Sequence, residues 1–203
     1  MTPTPTACDL LAPLRRAIEA QDDDLAEHLV RQLATADDAM VSELISWLAE
    51  PDTDRRWWGV RTLVVVAGLV GDGARVLRPL TACLHDEDPS VRCAAALALA
   101  ELGLVEATPD LIESLGDASG WVRASAADAL ALMGEGATPA LATVLAAGPQ
   151  GARSRAAYAL SKIRTLETAE VFYRYLQDEN QLVQAYAYDT LDQMGFLRTV
   201  LVV

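Results

Sequence analysis

The sequence predicts an all-α fold: an α-solenoid, or superhelix, of about six antiparallel helical hairpins. The first observation behind this prediction is a motif that returns along the chain with a period of about 31 residues. The second is that apolar residues within each copy recur with the spacing of one helix face. The third is composition, since 52% of residues are hydrophobic but only 5% are aromatic. Small aliphatic side chains of this kind allow helices to pack closely, and stacked hairpins bury a stripe that one hairpin cannot.

The longer helix of each hairpin, called helix B, carries the repeated pattern. A fifth, weaker copy aligns with the others when it starts at Gly59 and ends at Gly71. The four clearer copies are Val91–Gly103, Val122–Gly134, Ala152–Arg164 and Val183–Gly195. With the first residue of each copy numbered zero, apolar or small residues hold positions 0, 4, 5, 8 and 11. Position 12 is a glycine helix stop in four of the five copies, and Arg164 is the exception.

A shorter amphipathic segment, helix A, precedes each copy. The turns that join the segments are polar and rich in residues that cap helices. A looser pair at about 9–20 and 24–34 extends the scheme to the N-terminus. The predicted A segments are Val41–Leu48, Val76–Leu84, Pro109–Leu115, Pro139–Leu145 and Ala169–Leu176.

The length of 203 residues suits a single domain spanning 1–203. Its predicted parts are a divergent N-terminal capping hairpin over 1–37, the repeats over 38–195 and an apolar tail over 196–203. The tail is β-branched and has no helix cap. It either packs over the last hairpin or extends into a partner, and the sequence leaves both open.

Two copies carry a recognisable family pattern. In 86–103 and 117–134 an Asp precedes the turn, and Val-Arg and Ala-Ala-x-Ala-Leu-x-x-x-Gly follow it. This pattern resembles HEAT repeats, especially the short bacterial HEAT-like type that also occurs in phycobilisome lyases. The resemblance extends over about 38–195 and implies the solenoid fold. It implies little about activity, because that scaffold supports many unrelated functions.

Arginine recurs at position 1 of three copies, as Arg92, Arg123 and Arg153. The resemblance implies a structural ladder in which these side chains bind turn carboxylates such as Asp86 and Asp117. A row of arginines that binds a ligand is the alternative.

The helix B face opposite the core, formed by positions −1, 3, 6 and 10, does not repeat as the core positions do. In a HEAT-like stack this face lines the concave surface, so we predict that a partner segment binds there. Trp58 and Trp121 are the predicted anchors, and the later copies supply polar and cationic contacts. If the N-terminal hairpin or a loop covers the apolar half, that half is core instead. The candidate partner-binding residues are Trp58, Val65, Leu69, Leu97, Trp121, Asp128, Leu132, Arg155, Tyr158, Lys162, Tyr186 and Asp189.

The net charge of −13 bears on the class of partner. It argues against a protein that binds nucleic acid by neutralising phosphates and against binding to an anionic membrane surface. It favours a protein partner with a basic surface. No apolar run reaches the roughly 18 residues of a membrane span, so membrane insertion is not expected. The odd set of Cys8, Cys83 and Cys93 suits reduced, buried thiols and a cytoplasmic location.

Residue patterns for chemistry are sparse. His28 and His85, the two histidines, have no second ligand at metal spacing, and no His-Glu pair of the deoxyhypusine hydroxylase type occurs. We therefore predict no catalytic residues, no metal site and no cofactor. The predicted function is a non-enzymatic protein–protein interaction module: an adaptor, scaffold or regulatory subunit. The alternatives are a HEAT-like bilin chromophore lyase, which the resemblance brings, and an acidic inhibitor of a basic protein. The partner, its pathway and the oligomeric state stay open.

Overall fold

The structure, a computed structural model, describes residues 7–197 of the chain, with side-chain environments from Leu11 onward. Over this range the secondary structure is helical throughout. The chain divides into two compact units, Met1–Leu104 (unit 1) and Val105–Val203 (unit 2). Each unit contains three helical hairpins, so six hairpins are present and the predicted all-α solenoid class is confirmed. The prediction of one domain over 1–203 stays a prediction.

Unit 1 contains helices α1 to α6. In it the A helices α1, α3 and α5 pack side by side, and the B helices α4 and α6 pack on each other. The helices are α1 (Ala7–Glu19), α2 (Asp23–Arg31), α3 (Asp38–Trp47), α4 (Thr53–Val70), α5 (Gly73–Cys83) and α6 (Pro89–Glu101).

Unit 2 repeats this two-layer arrangement. Helices α7, α9 and α11 form one layer, and α8, α10 and α12 form the other. The helices are α7 (Thr108–Ser114), α8 (Gly120–Met133), α9 (Thr138–Ala147), α10 (Gln150–Ile163), α11 (Leu166–Tyr173) and α12 (Gln181–Gln193). Short 3₁₀ turns at Val105–Ala107 and Gly134–Ala137 lead into α7 and α9.

The predicted stripe of small and apolar residues forms the core of both units. From the second copy onward, positions 4 and 8 are alanine and leucine and all are fully buried. Alanine at position 4 keeps adjacent helices close, and leucine at position 8 fills the space between them. The repeats are therefore held together by tight packing of small residues with few aromatic side chains.

Helix ends follow local chemistry. The carboxylates of Asp22, Asp37 and Asp72 accept backbone N–H groups in the first turns of α2, α3 and α5. At the other end, Gly103 adopts a left-handed φ of 65° after α6, as the predicted glycine stop requires. Arg164 adopts the same type of conformation after α10, with φ of 50°. Helix α10 therefore ends in the same left-handed backbone conformation although arginine replaces glycine there.

The predicted first repeat copy was wrong in register by one helical turn. Arg56, and not Val60, is the equivalent of Arg92, since both donate to the two backbone carbonyls five and six residues before them. This register puts a leucine, Leu63, at position 8 of the first copy as in the other four, and Gly59 at position 4. Gly59 replaces the usual alanine because a Cβ there would lie 3.1 Å from Leu48 and 3.2 Å from the Cβ of Trp47.

The error has a simple origin in helix length. Helix α4 has 18 residues, whereas the later B helices have 13 or 14. Aligning the copies on their closing glycine therefore shifted the start of the first copy. Arg56 lies 36 residues before Arg92, although the later copies are spaced by 30 or 31.

The segment Gly120–Ala147 is, by length and mean hydropathy (1.4), apolar enough to cross a membrane as one helix. The structure divides it at Gly134, where φ is 71°, into α8 and α9. Helix α8 pairs with α7, and α9 pairs with α10. The apolar residues of this segment thus contribute to two separate hairpins.

The predicted tail over 196–203 falls mostly outside the described residues, which end at Leu197, as does the segment 1–6. The ring of Phe196 lies against Tyr173 of α11, with ring centroids 6.2 Å apart. The first residue of the tail thus packs on the last hairpin.

Candidate partner-binding surfaces

The arginines of position 1 are structural. The Nη1 atom of Arg92 donates to the carbonyl oxygens of Asp86 and Glu87 at 2.7 and 3.1 Å. Arg123 makes the same pair of bonds to Asp117 and Ala118 at 2.7 and 3.0 Å. These bonds close the turn between helix A and helix B, because carbonyl groups within a turn have no helical partner and need another donor. The structural interpretation of the arginine row is thereby supported.

Two arginines also connect neighbouring hairpins. Arg56 forms a bidentate pair with Asp86, with Nε–Oδ2 and Nη2–Oδ1 distances of 2.8 and 3.0 Å. Arg153 bonds the carboxylate of Asp178 and the carbonyl oxygen of Leu145. The predicted ladder between repeats therefore exists, and Arg56 is its member in the first copy.

In unit 2 the outer surface of α8, α10 and α12 exposes large apolar side chains. We call this surface the unit 2 face. Trp121 is 81% exposed, Leu132 67% and Leu182 57%. Trp121 and Leu132 were predicted binding residues, and Leu182 shares the column of Trp121 at position −1.

Polar predicted residues meet at the centre of the unit 2 face. The Tyr158 hydroxyl donates to Asp128 Oδ1 at 2.8 Å, and the Tyr186 ring lies edge-on with its centroid 5.9 Å away. The Lys162 ammonium lies 5.3 Å from the Tyr158 ring centroid, close enough for a cation–π contact. The hydrogen bond to Asp128, together with burial, raises the pKa of Tyr158, while nearby Arg155 opposes the rise. Four of the predicted residues thus form one connected cluster.

Asp189, another of the predicted partner-binding residues, is exposed on α12. In unit 1, Leu69 and Leu97 are exposed and Val65 is half-buried. These positions agree with a surface role, which stays a prediction for each of them. The continuous groove that was predicted along all the B helices also stays a prediction.

Trp58 was expected to be an exposed anchor, and this is wrong. Its side chain is buried, at 3% exposure, and its indole Nε1 donates to Asp23 Oδ1 of α2 at 3.3 Å. In the corrected register Trp58 holds position 3, which lies on the same outer face as position −1, so its burial comes from the N-terminal hairpin that covers this part of the face. The alternative, in which that hairpin covers part of the apolar half, holds for this residue.

The structure contains a cavity of about 500 Å³ in unit 1 that the sequence did not predict. It lies at the beginnings of α2, α4 and α6, and we call it the tryptophan cavity. The cap of α2 is the Asp22 side chain, which accepts the N–H of Leu25, so capping does not involve the Asp23 and Asp24 side chains. The lining residues are Asp23, Asp24, Glu27, Asp54, Trp57, Trp58 and Ser90. No repeated pattern of the sequence marks this cavity, because its residues come from α2, α4 and α6, which are separate segments of the chain.

With the fold and these surfaces established, comparison with protein families is informative. A model of HEAT repeats matches residues 41–131 and 77–161, which together cover more than half of the chain. The chain belongs to the HEAT-repeat family. The match is to HEAT repeats in general, and it does not distinguish the phycobilisome-lyase type. A comparison with curated proteins finds no match.

Several solved structures have a similar fold. The X-ray structure of YIBA from Escherichia coli is similar, with a TM-score of 0.61, 23% identity and coverage of 93% of this chain and 72% of that one. Human deoxyhypusine hydroxylase in complex with glycerol has a TM-score of 0.50, 21% identity and coverage of 92% and 72%. A designed armadillo repeat protein in complex with the peptide (KR)4 has a TM-score of 0.50, 18% identity and coverage of 90% and 98%. At these identities the likeness shows the fold alone.

Other reactive groups of this HEAT-repeat chain lie apart from these surfaces. His28 and His85 are both exposed, and the described residues contain no group of three or more His, Cys, Asp and Glu side chains placed to hold a metal ion. Burial raises the pKa of the Cys83 thiol to about 11. The thiol therefore stays protonated near neutral pH, where it acts as a small apolar side chain.

Proposed function

We propose that this HEAT-repeat chain is a non-enzymatic interaction module, an adaptor, scaffold or regulatory subunit, whose unit 2 face binds a segment of a partner protein. The observation that carries the proposal is the 81% exposed indole of Trp121, accompanied on the same face by Leu132 and Leu182. Large apolar side chains grouped within a polar rim are typical of protein-binding surfaces. Tryptophan in particular contributes much of the binding energy where it becomes buried in a complex.

The first column of the unit 2 face has the form of a slot. Trp121 begins α8 and Leu182 begins α12, and Gly151 holds the same position on α10 between them. A Cβ built at Gly151 would meet only the Arg123 Nε, at 4.0 Å. An apolar side chain of the partner would therefore fit over Gly151 with a large apolar residue on each side.

The polar cluster beside the slot would provide specificity. Tyr158 is held by Asp128, Tyr186 and Lys162 within the unit itself. Since these side chains are already ordered, binding a partner costs less conformational entropy. The cluster thus supplies hydrogen-bonding groups in a fixed arrangement.

The expected partner segment carries an apolar side chain for the slot and lies in a basic surface. The net charge of −13 attracts such a surface and speeds association. The designed armadillo repeat protein, which has a similar fold, holds the basic peptide (KR)4. That complex supports a basic segment as the class of partner.

The test uses a partner identified by capture on the wild-type chain from its source cells and then purified. Trp121→Ala should weaken its affinity by at least about tenfold, the usual effect of removing a central tryptophan. Gly151→Leu should weaken it similarly, because the new side chain fills the slot from within a helix that tolerates leucine. Calorimetric titration of each variant measures the affinity, with circular dichroism to verify folding.

Leu166→Ala is the matched control, because Leu166 is equally exposed but lies on α11, outside the unit 2 face. It should change the affinity by less than about twofold, as most surface positions do. Wild-type affinity in a folded Trp121→Ala variant would overturn the proposal.

A further inference from the structure

The tryptophan cavity combines negative charge with aromatic walls. Its lining includes the carboxylates of Asp23, Asp24, Glu27 and Asp54. The Trp57 and Trp58 rings stand perpendicular, with centroids 4.9 Å apart, and form a corner. At about 500 Å³, its volume is within the range of ligand pockets.

Two carboxylates of the cavity lie at helix N-termini. Asp24 and Asp54 are exposed and lie in the first turns of α2 and α4. The partial positive charge at a helix N-terminus favours a carboxylate there. Asp23 accepts the indole N–H of Trp58, which holds it at the aromatic corner.

One edge of the cavity already holds a guanidinium group from the chain itself. The Arg61 guanidinium lies 5.2 Å from the Trp57 ring centroid and donates to both Glu27 oxygens at 3.2 and 3.0 Å. Burial raises the pKa of Glu27, but Arg61 and Arg31 outweigh this and lower it below its usual value. This contact shows, within the structure, that Trp57 and Glu27 accept a guanidinium through a cation–π contact and through hydrogen bonds from Nη2 to both carboxylate oxygens.

We propose that the tryptophan cavity binds an arginine side chain from a basic segment of a partner protein. The planar guanidinium packs against the Trp57 ring, which is more exposed than that of Trp58, while Asp24 and Asp54, which have no partner among the described contacts, accept its N–H groups. Arginine suits the cavity better than lysine, since it is planar, stacks on aromatic rings and presents several donors in one plane. The site lies in unit 1 and its test is independent of the unit 2 face, so either proposal can fail alone.

The experiment measures the fluorescence anisotropy of a labelled peptide of four arginines separated by glycines, added to the full chain. The same peptide with citrulline in place of arginine keeps the shape and removes the charge. The wild-type chain should bind the arginine peptide at least about tenfold more tightly, since citrulline loses both the cation–π and the ionic contacts.

Asp24→Asn with Asp54→Asn should weaken binding of the arginine peptide by about fivefold or more, because both charges face the cavity. The control, Glu106→Gln with Glu167→Gln, also removes two exposed first-turn carboxylates but in unit 2. It should weaken binding by less than about twofold, the effect of the reduced net charge alone. Trp57→Leu keeps an apolar wall and the carboxylates of the cavity but removes the aromatic face. This variant should also weaken binding of the arginine peptide.

Equal losses in the cavity pair and the control pair would show attraction to the general acidic surface and overturn the proposal. Equal binding of the citrulline peptide would overturn it as well. Displacement of the peptide by spermidine at matched charge would assign the cavity to polyamines and overturn the arginine assignment.

Discussion

At the residue scale, arginine in this acidic protein acts mainly on the turns. The guanidinium of Arg56 bonds Asp86 of the next hairpin and the carbonyl oxygens of Glu50 and Pro51. The hydrogen bond with Asp86 raises the pKa of Arg56 although burial lowers it. The side chains of this pair are only 7% and 10% exposed. A single side chain thereby fixes one turn and connects two hairpins.

Loss of Arg56 should be costly for folding. Arg56→Met should lower the free energy of unfolding by about 3–5 kcal/mol, because the carboxylate of Asp86 stays buried without its counter-ion. Urea denaturation followed by circular dichroism measures this change. Adding Asp86→Asn to the same variant should recover part of the loss, since the buried charge is then removed.

The control for Arg56 is Arg75→Met, which breaks a pair with Asp38 whose side chains are 34% and 78% exposed. That variant should lose about 0–1 kcal/mol, as exposed pairs contribute little. If the two methionine variants were equally stable, the buried pair would not have the role assigned to it.

At the element scale, the ends of the B helices show how the repeat is terminated. Gly71, Gly103, Gly134 and Gly195 all have positive φ. Arg164 must adopt the same type of conformation at φ 50°, which a residue with a Cβ enters at a cost of about 1 kcal/mol. Helix α10 packs against α8 and α12, and this packing holds the end of the helix in place. The local sequence disfavours the conformation, because arginine stands where the other copies have glycine.

Replacing Arg164 by glycine should therefore stabilise the protein. We expect Arg164→Gly to raise the free energy of unfolding by about 0.5–1 kcal/mol, after allowance for the larger entropy that glycine gives the unfolded chain. Thermal and urea melts of the variant measure the effect.

Arg164→Ala serves as the comparison, because it removes the same side chain and its hydrogen bond to Ser161 but keeps the Cβ. Alanine should therefore give no gain. A gain of the same size with alanine would mean that the arginine side chain, and not its backbone conformation, is the source of the strain.

At the scale of the whole molecule, the charge of −13 accompanies a chain whose arginines are largely engaged with its own turns and carboxylates. Carboxylates in excess repel one another in the compact state. The same excess is available to a basic partner, and four of the carboxylates line the tryptophan cavity of unit 1. Charge therefore opposes folding slightly while it favours binding.

Salt should stabilise this protein at neutral pH. Raising NaCl from about 0.02 to 0.5 M shortens the screening length from tens of ångströms to a few. The melting temperature should rise by about 2–4 °C, the shift that about 1 kcal/mol produces in a chain of this size. Scanning calorimetry at pH 7 measures it.

The same salt series at pH 4.4 provides the control, because that pH is the isoelectric point and the net charge there is close to zero. The shift there should be much smaller. A fall in melting temperature with salt at pH 7 would show that attractive ion pairs outweigh the repulsion.

Much of the fold could be predicted from the sequence because its signals are local and repeated. The helix pairs, the buried Ala and Leu columns and the polar turns were all confirmed. The register of the first copy was not, since Gly59 and Gly71 offered a plausible alignment and the greater length of α4 leaves no local mark. Only the bonds of Arg56 to Glu50, Pro51 and Asp86 decide it.

The two candidate binding sites also differ in whether the sequence could predict them. Asp128, Tyr158, Lys162 and Tyr186 could be grouped by their columns on successive helices, because helical periodicity places them on one face. The tryptophan cavity could not, since α2 and α4 meet there from segments about 30 residues apart that share no pattern.

By itself, then, the sequence determined that this chain is a stack of HEAT hairpins with an acidic, variable outer face. Periodicity within one helix and repetition between helices suffice for that. Only the tertiary structure decided that Trp58 is covered while Trp121 is exposed, although both tryptophans lie on the outer face of a B helix. The reason is that burial of such a residue depends on what the neighbouring hairpin places against it, and α2 places Asp23 against Trp58.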